Sequence, residues 1–193
     1  MSHAAAVTPK AFNCADQQTP TWLERVHRCV ELVSLIRAPK EQALSVADIG
    51  CGDQKLKSVL DGLPFEVRYT GYDLLPQHDS TIRFDVRVDP LPGEHHVAVL
   101  LGVTEYLDDL AAVLASLSQR VPSLVVSHVI RKGQNYSRED CARLGWVNHL
   151  SEDELLAIMS GAGFLLVQSA MTADERTLLG LFQTKGLAQG GGC

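Results

Sequence analysis

Seven short and mostly apolar segments, separated by polar stretches, predict the strands of one sheet. They are each 5 to 8 residues long and cover residues 45–49, 67–72, 81–86, 97–101, 123–130, 164–171 and 178–184. Strands with near-continuous apolar runs are typical of a parallel sheet that is covered on both faces. The pattern therefore predicts a sheet buried in the middle of the domain.

Helical periodicity fills most of the intervals between these segments. Helices are predicted over residues 20–38, 55–62 and 107–120, and from Ser151 onward. Thr21 is the expected N-cap of the leading helix, with Glu24 completing a capping box and Pro39 ending the run. Strands that alternate with helices predict an α/β fold with a doubly wound, mostly parallel, seven-stranded sheet. The last two strands are too close together for a helical crossover, so they should form an antiparallel C-terminal hairpin.

The same pattern predicts one domain with a loose tail at each end. Residues 20–186 form the domain, whose sheet occupies residues 45–185, and residues 1–19 and 187–193 are expected to be flexible. A polar stretch from residue 131 to residue 150 separates the fifth strand from the last helix. Loops of this length are uncommon unless they are functional, which makes this one a candidate lid.

Composition and charge narrow the classes of protein that are compatible with this pattern. The chain has 193 residues with 17 Lys and Arg against 23 Asp and Glu, a net charge of -6 that disfavours nucleic acid as a partner. No apolar run approaches the roughly 20 residues of a membrane span, and the N-terminus lacks the features of a signal peptide. The 5 cysteines are widely spaced without a CxxC pair, which predicts free thiols in a reducing cytoplasm and no metal site.

Candidate chemistry lies where the first two strands end. The segment Asp48-Ile49-Gly50-Cys51-Gly52-Asp53 follows the first strand, and its glycines permit a tight turn and a close approach of a ligand to the backbone. Asp73 ends the second strand 21 positions beyond Gly52, where an acid can accept hydrogen bonds from ribose hydroxyls. A dinucleotide motif would need a third glycine at position 55, which is Lys55.

These residues resemble the first motif of the class I S-adenosylmethionine-dependent methyltransferases, an acid followed by spaced glycines at a strand end. The segment Ala162-Gly163-Phe164 also looks like the AGF that precedes the penultimate strand in many members. The resemblance covers most of the chain, from Ser45 to Lys185. It implies an enzyme of the methyltransferase fold with S-adenosylmethionine as its cofactor.

The resemblance also implies which residues bind the cofactor. Its methionine part would be lined by Asp48, Gly50, Cys51, Gly52 and Asp53, its ribose by Asp73, its adenine by Leu74, Asp85 and Val86, and the space beside the methyl group by Leu101 and Gly102. Asp89 competes with Asp85 for the adenine contact. The family often has a third glycine where this sequence has Gln54, so the glycine loop departs from the common pattern.

Candidate groups for the acceptor follow the fourth and fifth strands. Because an oxygen acceptor needs a general base whereas a neutral amine does not, His128 and Glu105 are the candidate catalytic residues. His128 also alternates with apolar residues as a core histidine would, and Glu105 also suits the first turn of a helix. The candidate substrate-binding residues are Tyr106, Arg131, Trp146 and His149, of which Trp146 could instead close the core and His149 stabilise the start of the last helix.

The sequence thus predicts methyl transfer from S-adenosylmethionine to a small-molecule acceptor, such as a saccharide or another metabolite. Positioning can supply much of the rate of such an in-line displacement. A non-catalytic, methyltransferase-like binding protein is the alternative, motivated by Gln54 and by the lack of an unmistakable base. A nicotinamide oxidoreductase is disfavoured by Lys55 and by the absence of a Tyr-x-x-x-Lys pair. Because little of the chain lies outside the core, a homodimer partner could contribute to substrate choice.

Overall fold

A computed structural model describes residues 20–38, 42–133 and 135–186 of the chain. The helices are α1 (Pro20–Val33), α2 (Lys55–Leu60), α3 (Leu110–Ser118), α4 (Arg138–Leu144) and α5 (Glu152–Gly161). The strands are β1 (Leu44–Ile49), β2 (Val67–Asp73), β3 (Ile82–Arg83), β4 (Val97–Leu101), β5 (Ser123–Val129), β6 (Phe164–Met171) and β7 (Thr177–Thr184). The tails expected over residues 1–19 and 187–193, and Pro39, lie outside the described residues.

All seven strands join one sheet in the order β3-β2-β1-β4-β5-β7-β6. The pairs from β3 to β5 are parallel, whereas β7 runs antiparallel to both β5 and β6. This confirms the predicted mostly parallel sheet with its antiparallel C-terminal hairpin. The strand order reverses between β1 and β4, and in open α/β sheets ligands bind outside the carboxyl ends of the strands at that point.

Both faces of the central strands are buried, which explains their near-continuous apolar sequences. Along β4, Val97, Val99 and Leu101 contact the core formed with α1 and α2. The residues between them, Ala98 and Leu100, contact the core formed with α3 and α5 on the other face. Successive side chains of a strand point to opposite faces, so a sheet between two layers of helices needs apolar residues at every position.

Helix termini differ from the sequence prediction. Helix α1 ends at Val33 and not at residue 38, because the Leu35 and Ile36 N–H groups donate three residues back, to Leu32 and Val33, and not four as in an α-helix. Helix α1 begins at Pro20, so Thr21 lies inside the helix and does not precede it as a cap. Proline suits the first helical position, because the N–H that it lacks would have no partner there. Helix α3 begins at Leu110 and not at Leu107, since Asp109 accepts a hydrogen bond from the Ala112 N–H at 3.0 Å and caps the helix.

The third strand is also shorter than predicted. Only Ile82 and Arg83 pair with β2, because the chain turns at Asp85. The Asp85 carbonyl accepts hydrogen bonds from the N–H groups of Val88 and Asp89 at 3.1 and 2.9 Å. Asp89 in turn accepts from the Asp85 N–H at 3.0 Å, so the two acids share one turn.

The stretch from residue 131 to residue 150 is not a plain loop, because it contains α4. Ser137 caps this helix, and its capping box is completed by Asp140. None of the seven residues of α4 is buried, so the helix has no apolar stripe by which periodicity could reveal it. Within the described part of the chain, no helix is long and apolar enough to cross a membrane.

Candidate active site

The glycine loop between β1 and α2 has a backbone that suits glycine. Gly50 and Gly52 have φ angles of 75° and 51°, in the left-handed region. A Cβ atom on Gly50 would lie 2.5 Å from Cγ2 of Val103, which follows β4. The loop therefore packs directly against the end of β4, at the point where the strand order reverses.

The structure brings Asp73 to this loop, as the sequence predicted. The Gly52 N–H donates to Asp73 Oδ2 at 2.9 Å, and the Leu75 N–H donates to Oδ1 at 2.8 Å. A carboxylate has about four acceptor positions, so each oxygen can accept a further hydrogen bond. A carboxylate held in this way beside a glycine loop fits the vicinal hydroxyls of a ribose.

Gln54 shows how this chain replaces the third glycine of the motif. Its φ angle is 60°, a left-handed conformation that non-glycine residues rarely adopt and that explains the family's preference for glycine. The Gln54 side-chain amide donates to Thr81 Oγ1 at 2.8 Å and to Ser80 Oγ at 3.0 Å. The side chain thus fixes the loop to the segment before β3.

Asp48 is buried beneath the glycine loop and accepts a hydrogen bond from the Tyr69 hydroxyl at 2.7 Å. Burial raises the pKa of Asp48 to about 7, while the Tyr69 hydroxyl lowers that pKa and the charge of Asp73 raises it. Burial raises the pKa of the Cys51 thiol to about 12, and the negative charge of Asp48 is the second cause of this rise. Cys51 is therefore a protonated thiol at neutral pH, and its Sγ lies 3.7 Å from Thr81 Oγ1.

The buried Asp48 predicts a pH dependence of stability. The pKa of this carboxyl is near 3.9 in an unfolded chain and about 7 in the folded one. Between these two pH values the folded state keeps a proton that the unfolded state has released. The free energy of unfolding should thus fall as pH rises through this window. Relative to Asp48→Asn, the wild type should lose about 4 kcal/mol between about pH 4 and 7, measured by urea unfolding.

The exposed Asp61→Asn is the matched control for this experiment, because it removes a carboxylate from the far end of α2. Its stability should follow that of the wild type at every pH. If the Asp48→Asn curve instead ran parallel to the wild-type curve, the pKa of Asp48 would not be raised.

The residues expected at the adenine lie beside β2 and β3. Asp85 accepts two hydrogen bonds from the Arg87 guanidinium at 2.8 and 2.6 Å, which hold the pKa of this carboxyl below its ordinary value despite the opposing effect of burial. Leu74 and Val86 are partly buried, and Val86 packs against the core. The Asp85 carboxylate is thus occupied by Arg87, in contrast to the carboxylate of Asp73.

The end of β4 is shaped around Gly102. Its φ angle is 65°, and its N–H donates to Ser127 Oγ at 2.8 Å. A Cβ atom on Gly102 would lie 2.9 Å from Cη2 of Trp22, so the absence of a side chain lets α1 approach the end of β4. Trp22 is thereby placed at the end of β4.

His128 and Glu105 belong to a buried polar network beside the turn that follows β4. His128 is fully buried; its Nε2 accepts from the Leu150 N–H at 3.2 Å, and Nδ1 lies 2.8 Å from Thr104 Oγ1. Glu105 is 1% exposed and accepts from the Val129 N–H at 2.8 Å. This geometry favours a positioning role for both residues, because both side chains are buried.

Aromatic side chains from the segment after β5 form a pocket of about 470 Å³ next to the β4 end. Trp146 lies edge-on to Tyr136, with ring centroids 5.0 Å apart, and its Nε1 donates to the Tyr106 hydroxyl at 3.2 Å. The pocket is lined by Arg131, Tyr136, Arg138, Cys141, Ala142, Trp146, Val147 and His149. Three of the four predicted substrate-binding residues thus share one pocket, and the fourth, Tyr106, contacts Trp146.

A larger hollow of about 550 Å³ is also lined by Arg131. Its wall carries charged side chains such as Lys132, Glu152 and Glu175. It has no aromatic residue in its lining, and the rings that could hold an organic acceptor stand in the smaller pocket. No group of three metal-ligating side chains occurs among the described residues.

Fold and site together define a Rossmann-like nucleotide-binding domain with its acid and glycine loop at the switch point. A sequence model of the methyltransferase domain matches residues 21–169, more than half of the chain. The chain therefore belongs to the methyltransferase domain family, and the protein is a class I S-adenosylmethionine-dependent methyltransferase. No curated protein sequence matches it.

Solved structures share this fold. The N-methyltransferase NodS from Bradyrhizobium japonicum WM9, in complex with S-adenosylhomocysteine, is 19% identical over 87% of this chain and 89% of NodS, with a TM-score of 0.64. Magnesium protoporphyrin IX methyltransferase from Synechocystis PCC 6803, also with bound S-adenosylhomocysteine, is 15% identical over 93% of this chain and 90% of its own, with a TM-score of 0.65. LaPhzM is 18% identical over 84% of this chain with a TM-score of 0.61, and the matched part is 55% of LaPhzM.

Proposed function

We propose that the protein transfers a methyl group from S-adenosylmethionine to a small organic acceptor that binds in the aromatic pocket. The observation that carries this proposal is the Trp146 to Tyr106 hydrogen bond, which joins the pocket to the end of β4. The pocket volume of about 470 Å³ lies in the range of small-molecule sites. The net charge of -6 supports a small molecule over a nucleic acid as acceptor.

The cofactor roles follow the geometry of the glycine loop. When bound, the cofactor supplies an electrophilic methyl group. Asp73 would accept hydrogen bonds from the ribose hydroxyls, and Leu74 would pack on the adenine beside Asp85 and Val86. The methionine part would be lined by Asp48, Gly50, Cys51, Gly52 and Asp53, with Leu101 and Gly102 beside the methyl group.

The pocket residues orient the acceptor. The rings of Tyr136 and Trp146 offer flat apolar surfaces, and the Arg138 guanidinium offers positive charge, whereas Arg131 is paired with Glu154. Positioning of the accepting atom in line with the methyl group can lower the barrier by itself. Where the accepting atom is a hydroxyl oxygen, His149 is the titratable ring in the pocket wall that can take its proton.

His149 is suited to that role in its ionisation. Burial lowers its pKa, and the positive charge of Arg131 lowers it further, although Glu105 and the Ile130 backbone act in the opposite direction. The ring is therefore neutral at pH 7, and its Nδ1 lies 3.5 Å from Cys141 Sγ. His128, one of the two candidate catalytic residues from the sequence, is fully buried, so we assign it to the support of the segment after β5, from whose Leu150 N–H it accepts a hydrogen bond.

Trp146→Ala tests the acceptor pocket. An acceptor is first found by screening metabolites for those that cause release of S-adenosylhomocysteine from S-adenosylmethionine. For that acceptor, we expect kcat/KM to fall at least about 10-fold, because the largest ring of the pocket is lost. The affinity for S-adenosylhomocysteine, measured by calorimetry, should stay within about 2-fold, since the ring lies on the acceptor side.

Phe65→Ala is the matched control, because Phe65 is an exposed aromatic residue before the start of β2, at the end of the strand away from the glycine loop. It should leave both measurements unchanged. A Trp146→Ala enzyme with wild-type kcat/KM would place the acceptor elsewhere, and the absence of turnover by the wild type on every acceptor would favour a non-catalytic binding protein.

We also infer a cytoplasmic location, which is supported by the free thiols of Cys29, Cys51 and Cys141 among the described residues.

A homodimer is consistent with the apolar side chains of Leu165, Leu166 and Val167, which are 39%, 41% and 50% exposed on the edge strand β6. Sedimentation at several protein concentrations measures the oligomeric state directly.

A further inference from the structure

Arg25 stands at the switch point of the sheet, on the face of α1 that meets the end of β4. Its Nη1 lies 3.8 Å from the position that a Cβ atom on Gly102 would take. The next residue, Val103, covers Gly50 of the glycine loop. The guanidinium is therefore close to the place where the methionine part of the donor and the reacting end of the acceptor must meet.

The Arg25 side chain is held in place without an ion pair. Its Cζ lies 4.9 Å from the centroid of the Trp22 ring, a cation–π arrangement. Its Nε is buried and has no hydrogen-bond partner in the structure. None of the seven ion pairs between described residues includes Arg25.

Neighbouring charges on α1 are engaged in other interactions. Glu24 accepts a hydrogen bond from the Ala173 N–H at 2.8 Å, which fastens the helix to the turn between β6 and β7. Arg28 donates to Glu31 at 3.2 Å on the outer side of the helix. Asp174 in the same turn as Ala173 experiences the charge of Arg25, but its Oδ1 accepts from Thr172 and from the Arg176 N–H.

A half-buried guanidinium with an unpartnered Nε is costly unless an anion completes it. Its planar array of N–H donors matches a carboxylate, with which arginine forms two parallel hydrogen bonds. We propose that Arg25 binds a carboxylate in the active site, either the amino-acid carboxylate of the methyl donor or a carboxylate of the acceptor. The inference rests on the proposed function, because both ligands meet at this end of β4.

Calorimetry on the full chain tests this assignment with Arg25→Gln, Arg25→Lys and two donor-site probes. S-adenosylhomocysteine has the amino-acid carboxylate, whereas methylthioadenosine has the same nucleoside without it. If Arg25 binds the donor, Arg25→Gln should weaken S-adenosylhomocysteine about 10- to 100-fold and leave methylthioadenosine unchanged. Arg25→Lys should fall between wild type and Arg25→Gln, because lysine keeps the charge but loses the planar pair of donors.

A third probe, benzoate added to the protein saturated with S-adenosylhomocysteine, tests the acceptor source. If Arg25 binds an acceptor carboxylate, benzoate should raise the melting temperature of this complex in the wild type but not in Arg25→Gln. Unchanged binding of both S-adenosylhomocysteine and benzoate in a folded Arg25→Gln variant would overturn the proposal. Failure of the wild type to bind S-adenosylhomocysteine would instead contradict the proposed function itself.

Arg28→Gln provides the matched control, since it removes an arginine one turn further along α1 on the exposed side. It should bind all three probes as the wild type does. Circular dichroism and the melting temperature without ligand show whether each variant keeps the native fold. Because Arg25→Lys retains the charge and most of the aliphatic stem, it keeps the test decisive if Arg25→Gln is destabilised.

Discussion

Replacing Asp73 with alanine is expected to weaken the binding of S-adenosylhomocysteine by at least about 100-fold, because two hydrogen bonds from ribose hydroxyls to a carboxylate contribute about 1.5 to 3 kcal/mol each. The Asp73 oxygens are held in place by the N–H groups of Gly52 and Leu75, so no reorganisation is needed when the hydroxyls bind. Isothermal titration calorimetry measures the change directly.

Asp73→Asn separates the role in binding from the role in the loop. Asparagine keeps one acceptor oxygen for the loop N–H groups, so Asp73→Asn should destabilise the protein less than Asp73→Ala. The ribose hydroxyls no longer meet a negative charge, so the affinity for S-adenosylhomocysteine should still fall. Asp61→Asn, at the far end of α2, should bind as the wild type does. A folded Asp73→Ala protein whose affinity stayed within about 3-fold of wild type would show that the ribose is bound elsewhere.

Glu105→Ala is expected to lower the free energy of unfolding by about 2 to 4 kcal/mol. The substitution leaves the buried Val129 N–H without its acceptor and removes the carboxylate near the Thr104 hydroxyl. The loss should be visible in urea unfolding and in faster hydrogen exchange at the Val129 amide. The reason is the low accessibility of this site to water, which cannot replace the lost partner.

Glu105→Gln distinguishes this structural role from catalysis. Glutamine can still accept from the Val129 N–H, so this variant should keep most of the stability and most of the methyl transfer. A catalytic base would behave in the opposite way, with normal stability and a collapse of kcat in Glu105→Gln. Glu66→Ala, an exposed glutamate just before β2, controls for the loss of a negative charge.

The sequence was sufficient to predict the meeting of Gly52 and Asp73. Both follow strands of one parallel sheet, and the carboxyl ends of such strands lie at the same edge, so the pairing depends on topology and not on side-chain detail. The C-terminal hairpin was predictable for a similar reason, because the short connection between β6 and β7 leaves no room for a crossover helix.

The contact between Tyr69 and Asp48 was not predictable, because it depends on strand register. Val46 pairs with Tyr69 and Asp48 with Gly71, and a shift of one residue would turn Tyr69 to the other face of the sheet. Gly71 leaves room there, since a Cβ atom on it would lie 3.2 Å from the Tyr69 hydroxyl oxygen. Neither the register nor this free space has a signature in one sequence.

The roles of His128 and Glu105 were also beyond the sequence. Each occupies a position that suits either a base at a strand end or a polar group in the core. The backbone carbonyl of Glu105 accepts from the N–H groups of Val147 and Asn148, which lie about 40 positions further along the chain. This distant segment buries the network of His128 and Glu105. Burial by a segment so far along the chain favours the core role over the role of a base, and it has no signal in the local sequence.

The segment that carries the proposed acceptor pocket is closed at its base, since the Arg131 N–H donates to the Leu150 carbonyl at 2.7 Å. A loop whose ends are already joined can change in length at little entropic cost, about 0.6 kcal/mol for each doubling. The part of the segment before Val147 can therefore be exchanged, while Val147 and Asn148 stay in place to cover the network around Glu105. Divergence of substrate choice, in evolution or by design, has its simplest route through this one insertion point.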